Sequence, residues 1–89
     1  MRLPVISGRQ AIVNLVRICF RRKRTRGSHT ILQRNKLTIV IPLHEELSKG
    51  VIKTILFCLE KLRYRRDEAI KFLKSGKPRK VTCSLLQTP

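Results

Sequence analysis

The stretch from Arg21 to Leu32, RRKRTRGSHTIL, sets five cationic side chains within six residues ahead of Gly27, Ser28 and His29. Acid–base chemistry at a phosphate ester needs a base to take a hydroxyl proton, an acid for the departing oxygen, and cations to hold the charge that builds on phosphorus. Histidine suits the first task, because an unperturbed pKa of about 6.5 leaves a neutral fraction near neutral pH. Arg24 and Arg26 are the candidates for holding the charge. Gly27 would let the backbone approach a phosphate closely, and Ser28 could hydrogen-bond it. The same tripeptide also reads as a hairpin corner carrying an exposed histidine, and the residues alone leave both readings open.

The second histidine, His44, stands beside Glu45 and Glu46. It reads either as a loop group holding the entry to a following helix or as a second acid–base group. No carboxylate or cysteine spacing joins it to His29 in a metal site, so neither a metal nor a small-molecule cofactor is expected. Cys19, Cys58 and Cys83 are odd in number and widely spaced. That pattern suggests no disulfide framework, and a reducing, cytoplasmic setting fits it best.

Eighty-nine residues suffice for one small domain. The formal charge is +16, from 21 Lys plus Arg against 5 Asp plus Glu, and no acidic residue precedes Glu45. Such a field selects a polyanion as partner, with nucleic acid first, and predicts that any protein inhibitor presents an acidic face. Phe20, Phe57, Tyr64 and Phe72 are the only aromatics, too few and too core-like for a base-stacking platform. Phosphate contact from Arg21–Arg26 and Arg63–Arg66 would therefore dominate, making binding salt-dependent and largely blind to sequence. The apolar run from Ala11 to Phe20 is interrupted by Asn14 and Arg17 and is too short to span a bilayer, so no membrane segment is expected.

These residues need elements to position them. Ser7 can cap a first helix with Gln10 as the other half of a capping box; Ile12, Leu15, Val16 and Cys19 form its apolar stripe, and Gln10, Asn14 and Arg17 its wet face. Arg21 to Arg26 reads from charge alone as a solvated or disordered run. From His29 the period becomes two. Leu37, Ile39 and Ile41 fall on one side and Thr38 and Val40 on the other, with a tight turn at Asn35 and a stop at Pro42. Ser48 caps a second helix whose stripe is Val51, Ile52, Ile55, Leu56, Leu59 and Leu62. Whether that helix continues past Tyr64 or restarts with Asp67 as cap is left open by the pattern. The expected domain covers residues 1–75, followed by a flexible basic tail over 76–89. Two helices packed on one face of a small antiparallel sheet is the simplest α+β arrangement that buries both stripes.

The segments LPVISGRQAIVNLV, Phe20, RGSH, VIPLHEEL and KGVIKTIL follow one another in the order and spacing of the HicA toxins, also called the YcfA family of mRNA interferases. The chain resembles that family over roughly residues 3 to 73. Family members commonly carry Ala-Gly before the phenylalanine where this chain has Ile18-Cys19, and apolar residues where it has Arg22 and Lys23. The resemblance implies an α-β-β-β-α fold like that of double-stranded-RNA-binding domains, with Phe20 to Arg26 as the first strand of a three-stranded antiparallel sheet. It implies a metal-independent endoribonuclease toxin that cleaves mRNA, with His29 as the catalytic acid–base group and Arg24, Arg26, Gly27, Ser28 and Lys49 at the phosphates. It also implies a HicB-like antitoxin that covers the histidine. The alternative is a non-catalytic RNA- or DNA-binding module of the same fold.

Overall fold

Ser7 starts the first helix as expected, its hydroxyl accepting the Gln10 N–H at 3.1 Å. The computed structural model describes residues 3–77, and the expectation of a flexible tail lies largely outside them. Along these residues run α1 (Gly8–Arg17), β1 (Arg21–Arg26), β2 (His29–Arg34), β3 (Leu37–Pro42), α2 (Lys49–Lys61) and α3 (Arg66–Ser75). The strands form one antiparallel sheet in the order β1-β2-β3, with β1 and β3 as its edges. α1 and α2 pack against β3 on one face, and α3 packs on α1 and α2. The predicted α-β-β-β-α order holds, with the last helical segment divided in two.

The alternation read from β2 and β3 sets the sheet's two faces. Leu32, Ile39 and Ile41 are buried beneath the helices, whereas Thr38 and Val40 are exposed on the open side. Asn35 takes φ 53 in the two-residue turn between Arg34 and Leu37, as its tolerance of positive φ predicts. The charge run is an ordered strand, not a disordered one. β1 buries none of its six side chains. It is held by backbone pairing to β2 and by Phe20, which immediately precedes it and is 1% exposed in the core.

Two helix ends are closed in the same way. Phe20 N–H donates to the Leu15 carbonyl and Cys19 N–H to that of Val16, each at 3.1 Å, while Cys19 sits at φ 78. Tyr64 and Arg63 repeat the pattern on the Leu59 and Glu60 carbonyls, with Arg63 at φ 68. Both are Schellman closures, in which a left-handed residue ends the helix, and both form here without the glycine that such a position favours. The Ile18-Cys19 departure from the family pattern therefore still makes the turn. Because a left-handed non-glycine residue costs roughly 1–2 kcal/mol and glycine gives back part of that in chain entropy, Arg63→Gly should raise stability by about 0.5–1 kcal/mol. Chemical denaturation reads the gain as a higher midpoint at unchanged slope.

The Arg63 turn resolves the question left at Tyr64: the helix stops and restarts. Arg65, not Asp67, is the cap residue of α3, its N–H donating to the Glu68 carboxylate at 3.2 Å. Asp67 lies in the first turn, where its charge suits the helix dipole.

Sequence reading fails for the wet face of α1. Asn14 is completely buried, while Val16, assigned to the apolar stripe, is exposed. The Gln10 side chain donates to Asn14 Oδ1 at 2.8 Å instead of closing the capping box. Asn14 Nδ2 in turn donates to the Leu73 carbonyl at 3.2 Å, and Arg17 Nη1 to that of Gly76 at 2.8 Å. The polar stripe of α1 thus receives the unsatisfied carbonyls at the end of α3, which no local pattern could announce. Asn14→Ala should leave the buried Leu73 carbonyl without this donor and cost about 1–2 kcal/mol, seen as a lower melting temperature. Phe57, read as core, is 58% exposed, with Lys61 Nζ 4.9 Å from its ring centre.

The cysteine reading is also corrected. Cys19 is buried and disulfide-bonded, whereas Cys58 is a buried free thiol. Cysteine number and spacing therefore carry no argument for a reducing compartment here. Among the described residues, no helix is long and apolar enough to cross a membrane.

Candidate active site

His29 opens β2, directly across from Arg26 in β1 and Pro42 in β3. The turn that sets it there has two residues, Gly27 and Ser28. Gly27 lies at φ 58, the sign required at the first central position of a type II′ hairpin turn and freely available to glycine. A Cβ on Gly27 would meet nothing within 4 Å, so the requirement there is conformational, not steric. Leu43 N–H donates to the Ser28 carbonyl at 2.6 Å and ties the corner to the chain leaving β3.

The face on which His29 stands follows from the register. His29, Ile31 and Gln33 alternate with the buried Thr30 and Leu32, so they lie on the open side of the sheet. Opposite them are Arg26, Arg24 and Arg21. Arg21 shares this face because β1 carries a bulge between Arg22 and Arg24: Lys23 is the extra residue, and the alternation shifts by one. Arg22 is thereby turned to the helix side, opposite Leu32. Nothing in the local sequence signals the bulge, and the charge run hides it because every alternative register is equally cationic.

Directly opposed Cβ atoms lie about 5 Å apart and diagonal neighbours about 7–8 Å apart. Arg26 is the direct neighbour of His29 and Arg24 its diagonal one, so both guanidiniums can reach a group held at the imidazole. His29 is exposed, and its side chain has no hydrogen-bond partner among the described residues. No carboxylate among the described residues orients it. The centre of the same face is apolar, with Ile31 half-buried and Val40 exposed.

Lys49 is placed elsewhere. It opens α2 and lines a cleft with Leu3, Val5, Glu46, Lys53 and Arg66, none of which belongs to the hairpin. His44 is exposed, and its backbone carbonyl accepts the Gly8 N–H at 2.8 Å. Its main chain therefore anchors the start of α1, not the entry to α2. In the second cationic cluster, Arg66 Nε pairs with Glu60 Oε1 at 3.1 Å on the surface, a contact worth about 0–1 kcal/mol.

Two residues that positioning depends on escaped sequence reading. Gly8 is buried where α1 crosses the end of β3, and a Cβ there would run into the Pro42 carbonyl. Arg34 reaches from β2 under α1, its Nη1 donating to the Ile18 carbonyl at 3.1 Å while its buried Nε has no partner among the described residues. Burial pulls the Arg34 guanidinium below its ordinary value, and Tyr64 opposes that shift. Burial likewise pushes the Cys58 thiol up, against a smaller opposing effect of Lys61. Among the described residues, no three His, Cys, Asp or Glu side chains are placed to hold a metal ion.

Fold and face together define a small, strongly basic α+β domain that presents one histidine among guanidiniums on a sheet face that no described element covers. The family described as HicA toxin of bacterial toxin-antitoxin systems matches residues 8–62, more than half of the chain, and the chain belongs to that family. Membership makes it a toxin-type protein and implies a cognate antitoxin. No curated protein and no solved structure matches it.

Proposed function

We propose that this chain is an endoribonuclease that cleaves mRNA without a metal and is silenced by a HicB-like antitoxin. The observation that carries the reading is the exposed His29 at a sheet corner, opposite Arg26 and diagonal to Arg24. In this reading the neutral imidazole takes the proton of a ribose 2′-hydroxyl. The 2′-oxygen then bonds to the adjacent phosphorus, the bond to the 5′-oxygen breaks, and the departing oxygen takes a proton from the imidazolium or from water. The products are a 2′,3′-cyclic phosphate and a 5′-hydroxyl. Arg24 and Arg26 hold the charge gathering on the phosphoryl oxygens. The Gly27–Ser28 backbone lets the phosphate come close. Lys49, on its separate surface, would touch phosphate further along the strand.

Because no described side chain fixes His29 in one tautomer, its orientation would be completed by bound RNA. The same isolation favours one competing reading, a module of this fold that grips RNA or DNA and cuts neither. Incubating the purified protein with RNA in EDTA, beside His29→Ala, separates them. Cleavage that depends on His29 and leaves cyclic-phosphate ends supports the nuclease, whereas intact RNA from both proteins removes it and leaves the binding module. Co-expression with a neighbouring acidic open reading frame should abolish cleavage if that frame encodes the antitoxin.

A further inference from the structure

Behind the hairpin, on the side away from His29, lies a cavity of about 360 Å³. Arg9 from α1 and Arg22 from β1 flank it, and Thr25 and Thr30 stand at the hairpin side. The two threonine hydroxyls are 3.2 Å apart, and Thr30 is 3% exposed. Ile12, Val13 and Leu43 supply an apolar wall. Among the described residues no acidic side chain lines this space, and neither the Arg9 nor the Arg22 side chain has a hydrogen-bond or ion-pair partner. Two unpaired guanidiniums facing one cavity repel each other, and an anion between them turns that repulsion into two charge-assisted contacts.

We propose that this cavity is a second phosphate-binding subsite, which takes a nucleotide of the same RNA strand flanking the one presented to His29. The inference rests on the nuclease reading above as regards the ligand, but its site is distinct from the sheet face. Among the described residues β1 is an edge strand, with no further strand beside it to block a single-stranded polynucleotide passing around it. Both sides of that edge are cationic: Arg21, Arg24 and Arg26 point to the open face, and the bulge at Lys23 turns Arg22 to the rear. A regular strand would have put Arg22 with Arg24 and Arg26 and turned Lys23 to the rear, so the bulge sets a forked guanidinium there in place of an ammonium. The phosphate sits between Arg9 and Arg22, within reach of the threonine hydroxyls, while the apolar wall takes the ribose or base without reading its identity. A duplex is too stiff to follow that path, so the subsite selects single-stranded RNA.

The test uses the full chain carrying His29→Ala, so that RNA stays intact, and measures binding of a labelled single-stranded oligoribonucleotide across a salt series. Arg9→Gln/Arg22→Gln is compared with Lys71→Gln/Lys74→Gln, which removes the same charge from α3. The first pair should weaken binding at least about tenfold and flatten the plot of log affinity against log salt by about 0.7 for each phosphate left without its cation. The α3 pair should cause only a small, uniform loss, and a blunt duplex of the same sequence should be insensitive to both. Equal losses for the two pairs would overturn the subsite while leaving the nuclease reading intact, provided the unmodified protein still cuts RNA. Failure of the unmodified protein to bind or cut RNA at all would remove both.

Discussion

His29→Ala is expected to lower the rate of RNA cleavage by roughly 10²–10⁴-fold, the usual yield of one positioned acid–base group. The loss should fall on the chemical step and not on binding or folding. His29 is exposed and contributes no side-chain hydrogen bond among the described residues, so alanine leaves neither a cavity nor an orphaned polar group. Single-turnover rates on a defined oligoribonucleotide would show the drop, while the affinity of that RNA and the melting temperature stay within error of the parent. A rate unchanged by the substitution would place the proton transfer on another group, with His44 next to examine. A parallel loss of melting temperature would instead mean that the corner is held by the imidazole.

A comparably large effect is expected far from any charge. Gly8→Ala should destabilise the domain by about 3 kcal/mol, because the added Cβ would meet the Pro42 carbonyl and, at 3.1 Å, the Leu43 Cα. Both obstacles are main chain, so no rotamer change relieves the clash. α1 must move off the end of β3, and the 2.8 Å bond from Gly8 N–H to the His44 carbonyl lengthens with it. For a domain of this size the melting temperature should fall by on the order of 10–20 °C. The strain also reaches the candidate site. Pro42 is the cross-strand partner of His29, and the next residue, Leu43, bonds the Ser28 carbonyl. Cleavage measured well below the lowered melting temperature should therefore still be impaired, whereas an exposed substitution such as Lys71→Ala should leave both quantities unchanged.

What could be read from the residues had local causes. The Ser7 and Ser48 caps each satisfy an N–H three positions on. Asn35 tolerates the φ its turn demands, and the alternation in Leu37–Pro42 reports a strand with one wet face. His29, Arg24 and Arg26 were legible as a chemical set because the family resemblance made Arg21–Arg26 a strand, a conclusion that its charge alone opposed. Lys49 carried the same expectation, yet it opens a helix beside another cleft.

Composition, charge and short-range periodicity settled that this chain is a basic α+β domain with a histidine at a hairpin corner, since those properties act over a few residues or over the whole field. Contacts between distant segments settled the rest. Asn14 is buried because the end of α3 arrives above it, 59 residues later. Cys19 is disulfide-bonded although the cysteines are scattered in sequence. Arg22 turns to the rear of the sheet because one bulge residue moved the register of an edge strand. Arrangements of this kind exist only once the chain has folded, so no window of sequence contains them.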